Sequence, residues 1–117
     1  MTDFTTRSCD RPLSLAEAPL LIELLKRSKA DAKLIAQVPT LRVRAEGSSS
    51  WPIVEFSDGG SSGGVIAESF WHAGLAVFGV HVLASSDLIT CMECWSVNGH
   101  ADPSRWPAIS ELRASTA

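Results

Sequence analysis

The chain has 117 residues, 45% hydrophobic and 20% charged, with ten Lys and Arg against thirteen Asp and Glu for a net charge of −3. This profile fits one folded domain; it excludes a disordered chain and a domain built around a clustered basic surface for nucleic acid. No apolar run reaches the roughly 20 residues that cross a bilayer, and Met1 to Cys9 lacks the charged start and apolar core of a signal peptide. A cytoplasmic protein is therefore expected, with neither nucleic acid nor membrane as its partner. Its three cysteines, Cys9, Cys91 and Cys94, are an odd set, unlike a disulfide-stapled secreted domain.

Residues 1–10 are polar without an apolar period and read as a flexible N-terminus; 11–113 reads as a single domain and 114–117 as a flexible tail. Ser14-Leu15-Ala16-Glu17 is a capping box, and Ala18, Leu21, Ile22 and Leu25 follow at helical spacing. Lys26, Arg27 and Lys29 sit where cations complement the helix dipole. A helix over about 14–28 is predicted. Pro19 demands either a bend or a start one turn later with Pro19 in first position. Asp31–Gln37 reads as a weaker helical turn.

After Pro39 the period changes. Leu41 to Ala45 alternates apolar and charged residues, the mark of a strand with one wet face. Trp51 to Ser57 reads as a second strand, which Pro52 confines to an edge or to its own start. Asp58–Gly64 reads as the most flexible stretch. Val65–His72, Leu75–Leu83 and Leu88–Val97 read as three stronger strands joined by hairpin-length links, Ala73-Gly74 and Ala84–Asp87. Pro103 to Arg113 is predicted as a short helix with Trp106, Ile109 and Leu112 turned inward. The fold class is α+β: an N-terminal helix on a roughly five-stranded antiparallel meander, with a short C-terminal helix.

If Ala73-Gly74 is the turn, His72 faces Leu75, Phe70 faces Val77 and Glu68 faces Gly79. One face then holds Ile66, Glu68, Phe70, Val77, Gly79, His81, Ile89, Cys91, Glu93, Trp95 and Val97. The other holds Val65, Ala67, Trp71, Ala76, Phe78, Val80, Val82, Leu88, Met92 and Cys94. Both are largely apolar, and one helix covers only one. The second is expected to meet the C-terminal segment, another subunit or a protein partner.

Cys91-Met92-Glu93-Cys94 invites a zinc or redox reading, with His100, His81 and Cys9 as further ligands. Residues three apart on a strand point to opposite faces, so ordinary buried thiols are the stronger reading and neither metal nor cofactor is expected. Glu68 and Glu93 flank Gly79 with His81 nearby, and the missing side chain at Gly79 leaves room for a ligand. The competing reading is a solvated face, or carboxylates paired with Arg11, Arg42, Arg44 or Arg105. The glycines of Asp58–Gly64 lack the Lys and Ser/Thr of a phosphate loop. Of the four tryptophans, Trp71, Trp95 and Trp106 are assigned to the core or its edge, and Trp51 is expected to be the most exposed.

Arg11-Pro12-Leu13, Glu17, Leu21-Ile22 and Leu24-Leu25 resemble the opening helix of a family of small uncharacterised bacterial α+β domains. Ile66-Ala67-Glu68, the Leu75–Leu83 strand, Glu93-x-Trp95-Ser96-Val97 and Arg105-Trp106-Pro107 extend the resemblance over about residues 11–113. The chain departs from it in Pro19, in the Asp58–Gly64 insert and in the Cys91/Cys94 pair. The resemblance supplies no catalytic residues. Its size, acidity and single-domain build are similar to immunity proteins that neutralise bacterial toxins by direct binding. The leading expectation is thus a non-catalytic antitoxin-type binding domain whose contact residues are Trp51, Glu55, Glu68, His81, Glu93 and Trp95, with Glu46 adding to the acidic surface. A homodimeric scaffold, or a small enzyme or ligand-binding protein using Glu68, His81 and Glu93, are the alternatives.

Overall fold

The computed structural model describes residues 6–48, 50–57 and 63–113. The expectations for residues 1–5, 58–62 and 114–117 lie outside the described residues. The architecture is α+β, with six antiparallel strands and two helices. In chain order these are β1 (Arg7–Pro12), α1 (Ala18–Arg27), α2 (Ala32–Gln37), β2 (Arg42–Glu46), β3 (Ile53–Glu55), β4 (Gly64–Ala73), β5 (Ala76–Ser85) and β6 (Leu88–Ser96). Short 3-10 turns occur at Val38–Thr40 and Ile109–Glu111. No helix among the described residues is long and apolar enough to cross a membrane.

The strand order is β1-β2-β3-β6-β5-β4. The sheet is therefore two three-stranded meanders joined through the β3–β6 pair, in place of one continuous meander. Residues 7–10, expected to be part of a flexible terminus, instead form most of the extra strand β1. Pairing with β2 and ion pairs from Arg11 to Glu46 and from Arg42 to Asp10 hold this edge.

Helix α1 starts at Ala18 after a turn in which the Glu17 and Ala18 amides donate to the Ser14 carbonyl. Pro19 thus falls in the first turn, where a missing N–H costs no helical bond. Only half of the predicted capping box forms: Glu17 Oε1 accepts from the Ser14 amide at 2.9 Å. The same carboxylate is buried and takes a two-pronged hydrogen bond from Arg11, at 2.9 and 3.0 Å. The predicted C-terminal helix is reduced to the Ile109–Glu111 turn, because Pro107, one turn into the segment, removes a helical N–H and biases Trp106 away from helical backbone. Leu112 is buried and Trp106 packs on the core as expected, but Ile109 is 37% exposed. Past that turn the chain runs beside β4, where the Arg113 amide donates to the Phe70 carbonyl and Ser69 Oγ donates to the Arg113 carbonyl.

One core lies between the helices and the sheet. Leu20, Leu21, Leu24 and Leu25 of α1 pack with Trp71, Phe78, Val80, Val82, Met92 and Cys94. Full burial of those four leucines contributes roughly 6–12 kcal/mol before chain entropy is counted. Leu34 and Ile35 of α2 border the same core. Gln37, at the end of α2, donates to the Asp87 carbonyl and accepts from the Ile89 amide, tying the helix layer to the β5–β6 hairpin.

Burial alone pushes the Glu17 carboxyl up, but the Arg11 and Ser14 hydrogen bonds and the Arg11 charge outweigh it and hold it below its ordinary value of 4.5. A depressed carboxyl contributes stability that is present above its unfolded value and is lost as pH falls through its folded value. Equilibrium urea unfolding from pH 7 to 3 should show stability falling below about pH 4.5. Glu17→Gln should cost about 1–3 kcal/mol at pH 7 and flatten that acid limb; an unchanged limb would refute the role of this pair.

Candidate functional site

The sheet face opposite the helices carries the sequence-predicted site. Its register differs from expectation by one pair of residues. Ala73 pairs with Ala76, so the two-residue turn is Gly74-Leu75, with Gly74 at φ 63° in the position where a hairpin turn requires the left-handed region. Glu68 therefore stands opposite His81, not Gly79, and Phe70 stands opposite Gly79, not Val77. On the far side of β5, His81 pairs with Glu93 and Gly79 with Trp95. Two cross-sheet rows result: Glu68–His81–Glu93 and, one step along, Phe70–Gly79–Trp95.

Two bulges also redistribute residues between the faces. Register slips between Val65 and Ala67 and between Leu83 and Ala84. Ile66 and Ile89, expected beside His81, pack into the helix-side core, whereas Val65 and Leu88, expected in that core, are exposed. An alternating pattern does not reveal where an extra residue is inserted.

The gap expected over Gly79 is filled. A Cβ there would lie 2.3 Å from Trp95 Cζ2, so the indole lies flat across the glycine. Phe70 meets the same indole edge-on at 5.8 Å between centroids, and His81 lies beside it at 4.6 Å. His81 Nε2 lies 2.6 Å from Glu93 Oε1, and because an ionised carboxylate can only accept, the imidazole is the donor of this hydrogen bond. Their side chains keep 18% and 27% of their surface exposed. Glu68, next along the row, is exposed.

None of the expected arginine mates serves Glu68 or Glu93 in this way. Arg11 bonds Glu17 and Glu46, Arg42 bonds Asp10, and Arg105 forms a two-pronged pair with Glu111. The Arg105 hydrogen bonds, helped by the Ala108 amide, pull the Glu111 carboxyl down to about 2. Glu46 is taken up by Arg11 and Arg7, so it does not belong to the acidic surface as expected. A cleft of ≈ 480 Å³ between β1 and the Ser104–Trp106 segment is lined by Arg7, Arg11, Glu17, Glu46 and Arg105. Its charges of opposite sign largely satisfy one another.

Beside the two rows, Ile53, Leu83 and Cys91 form a small second cluster under Trp51. Cys94 belongs to the helix-side core, so the two sulfurs of the Cys-x-x-Cys sit on opposite faces of the sheet. Burial, with Glu93 and Glu55 adding to it, pushes the Cys91 thiol far above its ordinary value, which keeps it protonated and a poor nucleophile. Trp51 is half-buried, as are Trp95 and Trp106, and it meets Glu55, Glu93 and Trp95 around a cavity of ≈ 250 Å³. All six predicted contact residues thus share one face.

A charge pattern missed in the residue-by-residue reading marks this face directly. Between residues 45 and 104 the chain has seven carboxylates and no Lys or Arg, while all ten cations stand outside that stretch with the other six carboxylates. Strands β3 to β6 lie wholly inside it. Comparison with protein-family models, with curated proteins and with solved structures finds no match.

Gly79→Ala should force Trp95 off the sheet. An intrinsic tryptophan emission shifted to the red, with a loss of about 1–3 kcal/mol in urea unfolding, is expected. Unchanged emission and stability would contradict the packing described.

Proposed function

We propose that the chain is a cytoplasmic, non-catalytic protein-binding domain of the toxin-neutralising kind, which holds a basic protein partner against the sheet face opposite its helices. The observation that carries this reading is the makeup of the face. Glu55, Glu68 and Glu93 stand among Phe70, Trp51 and Trp95 on strands without Lys or Arg, and no helix of the described chain packs there. Half-buried aromatic residues supply contact area at low entropic cost. The carboxylates supply steering toward a cationic surface such as the active site of a nuclease-type toxin. Strands β4, β5 and β6, nine or ten residues long, and the three residues of β3, spaced about 4.8 Å apart, present roughly 500 Å² in projection, somewhat less than the ~800 Å² per partner of a standard interface.

The two alternatives fit less well. A homodimer through this face would bring Glu55, Glu68 and Glu93 up to their own copies, and juxtaposed like charges oppose association. A ligand site at Gly79 has lost its space to Trp95.

Co-expression with the product of the adjacent open reading frame tests the proposal. A stable complex is expected, weakened by added salt and weakened about tenfold or more by Glu68→Lys, since each tenfold is about 1.4 kcal/mol. A lone monomer that protects no cell from that product, or a complex indifferent to Glu68→Lys and to salt, would overturn it.

A further inference from the structure

At the β3 end of the open face, Thr6, Trp51, Ile53, Glu55, Glu93 and Trp95 line the cavity of ≈ 250 Å³, which stands half open to solvent. That volume falls below the roughly 300–1,000 Å³ typical of pockets for drug-sized ligands. It suits a single side chain. Ile53 pairs with Glu93 and Glu55 with Cys91, so the two carboxylates are diagonal neighbours on adjacent strands, roughly 7 Å apart at their Cβ atoms. Among the described residues the Glu55 side chain makes no hydrogen bond or ion pair, and the Glu93 side chain uses only Oε1, on His81. At least three carboxylate oxygens therefore have acceptor capacity to spare. Trp95 is held in place by Gly79, Phe70 and His81, which pre-sets an indole in the wall of the cavity.

We propose that this cavity is a seat for a guanidinium group, filled by an arginine side chain. A planar cation lies against an indole through attraction to its π-face. The forked donors of guanidinium reach two separated carboxylates at once, which the compact ammonium of lysine does less well. A cavity walled by tryptophan and glutamate offers such a group both contacts, and the scaffold has already met the cost of ordering Trp95. The inference deepens the proposed function, since the arginine would come from the basic partner, but the seat is testable without that partner.

The probe is N-acetyl-arginine amide, titrated into the isolated chain while the indole N–H resonances of the four tryptophans are followed. Saturable shifts at Trp51 and Trp95, with Trp71 still, are expected in the millimolar range. N-acetyl-citrulline amide, neutral and of similar shape, should not saturate. Glu55→Gln should weaken binding about tenfold, the loss of one charge-assisted hydrogen bond. Glu23→Gln, on α1 at the other side of the sheet, should leave it unchanged. No saturable shift, equal binding of the citrulline or lysine analogue, or indifference to Glu55→Gln would overturn the seat. The two readings fail separately. A chain that binds the adjacent gene product but not the arginine probe keeps its function and loses the seat; the reverse result keeps the seat and removes that partner.

Discussion

Two helices, of ten and six residues, pack on one side of a six-stranded sheet, and this imbalance governs the rest of the molecule. Strands β5 and β6 are both interior strands of that sheet, with apolar side chains on both faces. The helix layer buries one face around Trp71 and the four leucines of α1. The other has only a small cluster, Ile53, Leu83 and Cys91 beneath Trp51, and a set of half-buried aromatics. A sheet so covered on one side presents a ready surface on the other.

Self-packing and charge together shape that surface. Gly79 gives up a side chain so that Trp95 can lie across it, and Phe70 and His81 close on the indole from its two sides. A glycine in mid-strand costs stability, and an aromatic laid over it recovers contact area. Glu93 then orients His81 by a hydrogen bond. The face is thus ordered before any partner arrives, which lowers the entropic cost of binding. The cations, meanwhile, are spent elsewhere: Arg11 anchors β1 to α1 through Glu17, and Arg105 braces the C-terminal segment through Glu111.

Much of this was legible in the sequence. The α+β class, the three long strands and the placing of Glu68, His81, Glu93 and Trp95 on one face follow from period-two patterning, whereas the position of Trp51 and Glu55 beside them comes from the β3–β6 pairing, which is distant in sequence. That clustering survived the misplaced hairpin turn because an error of one pair moves the partner by two residues and preserves the face. The slips at Val65/Ala67 and Leu83/Ala84 were not legible, since a bulge adds one residue without changing composition. Ile66 and Ile89 were misplaced for that reason. Strand β1 escaped notice because its stability comes from Arg11, Arg42 and pairing with β2, which are contacts distant in sequence. Pro103 and Pro107 did carry a warning against the C-terminal helix, outweighed there by the spacing of Trp106, Ile109 and Leu112.

Side-chain footprinting of the chain with and without the product of the adjacent open reading frame tests most directly whether the uncovered sheet face is the working surface. Protection is expected at Trp51, Phe70 and Trp95, with Leu15 and Ile109 on the helix and C-terminal side labelled equally in both states. Protection of Leu15 and Ile109 with Trp95 still labelled in the complex would place the partner on the opposite side and contradict the assignment.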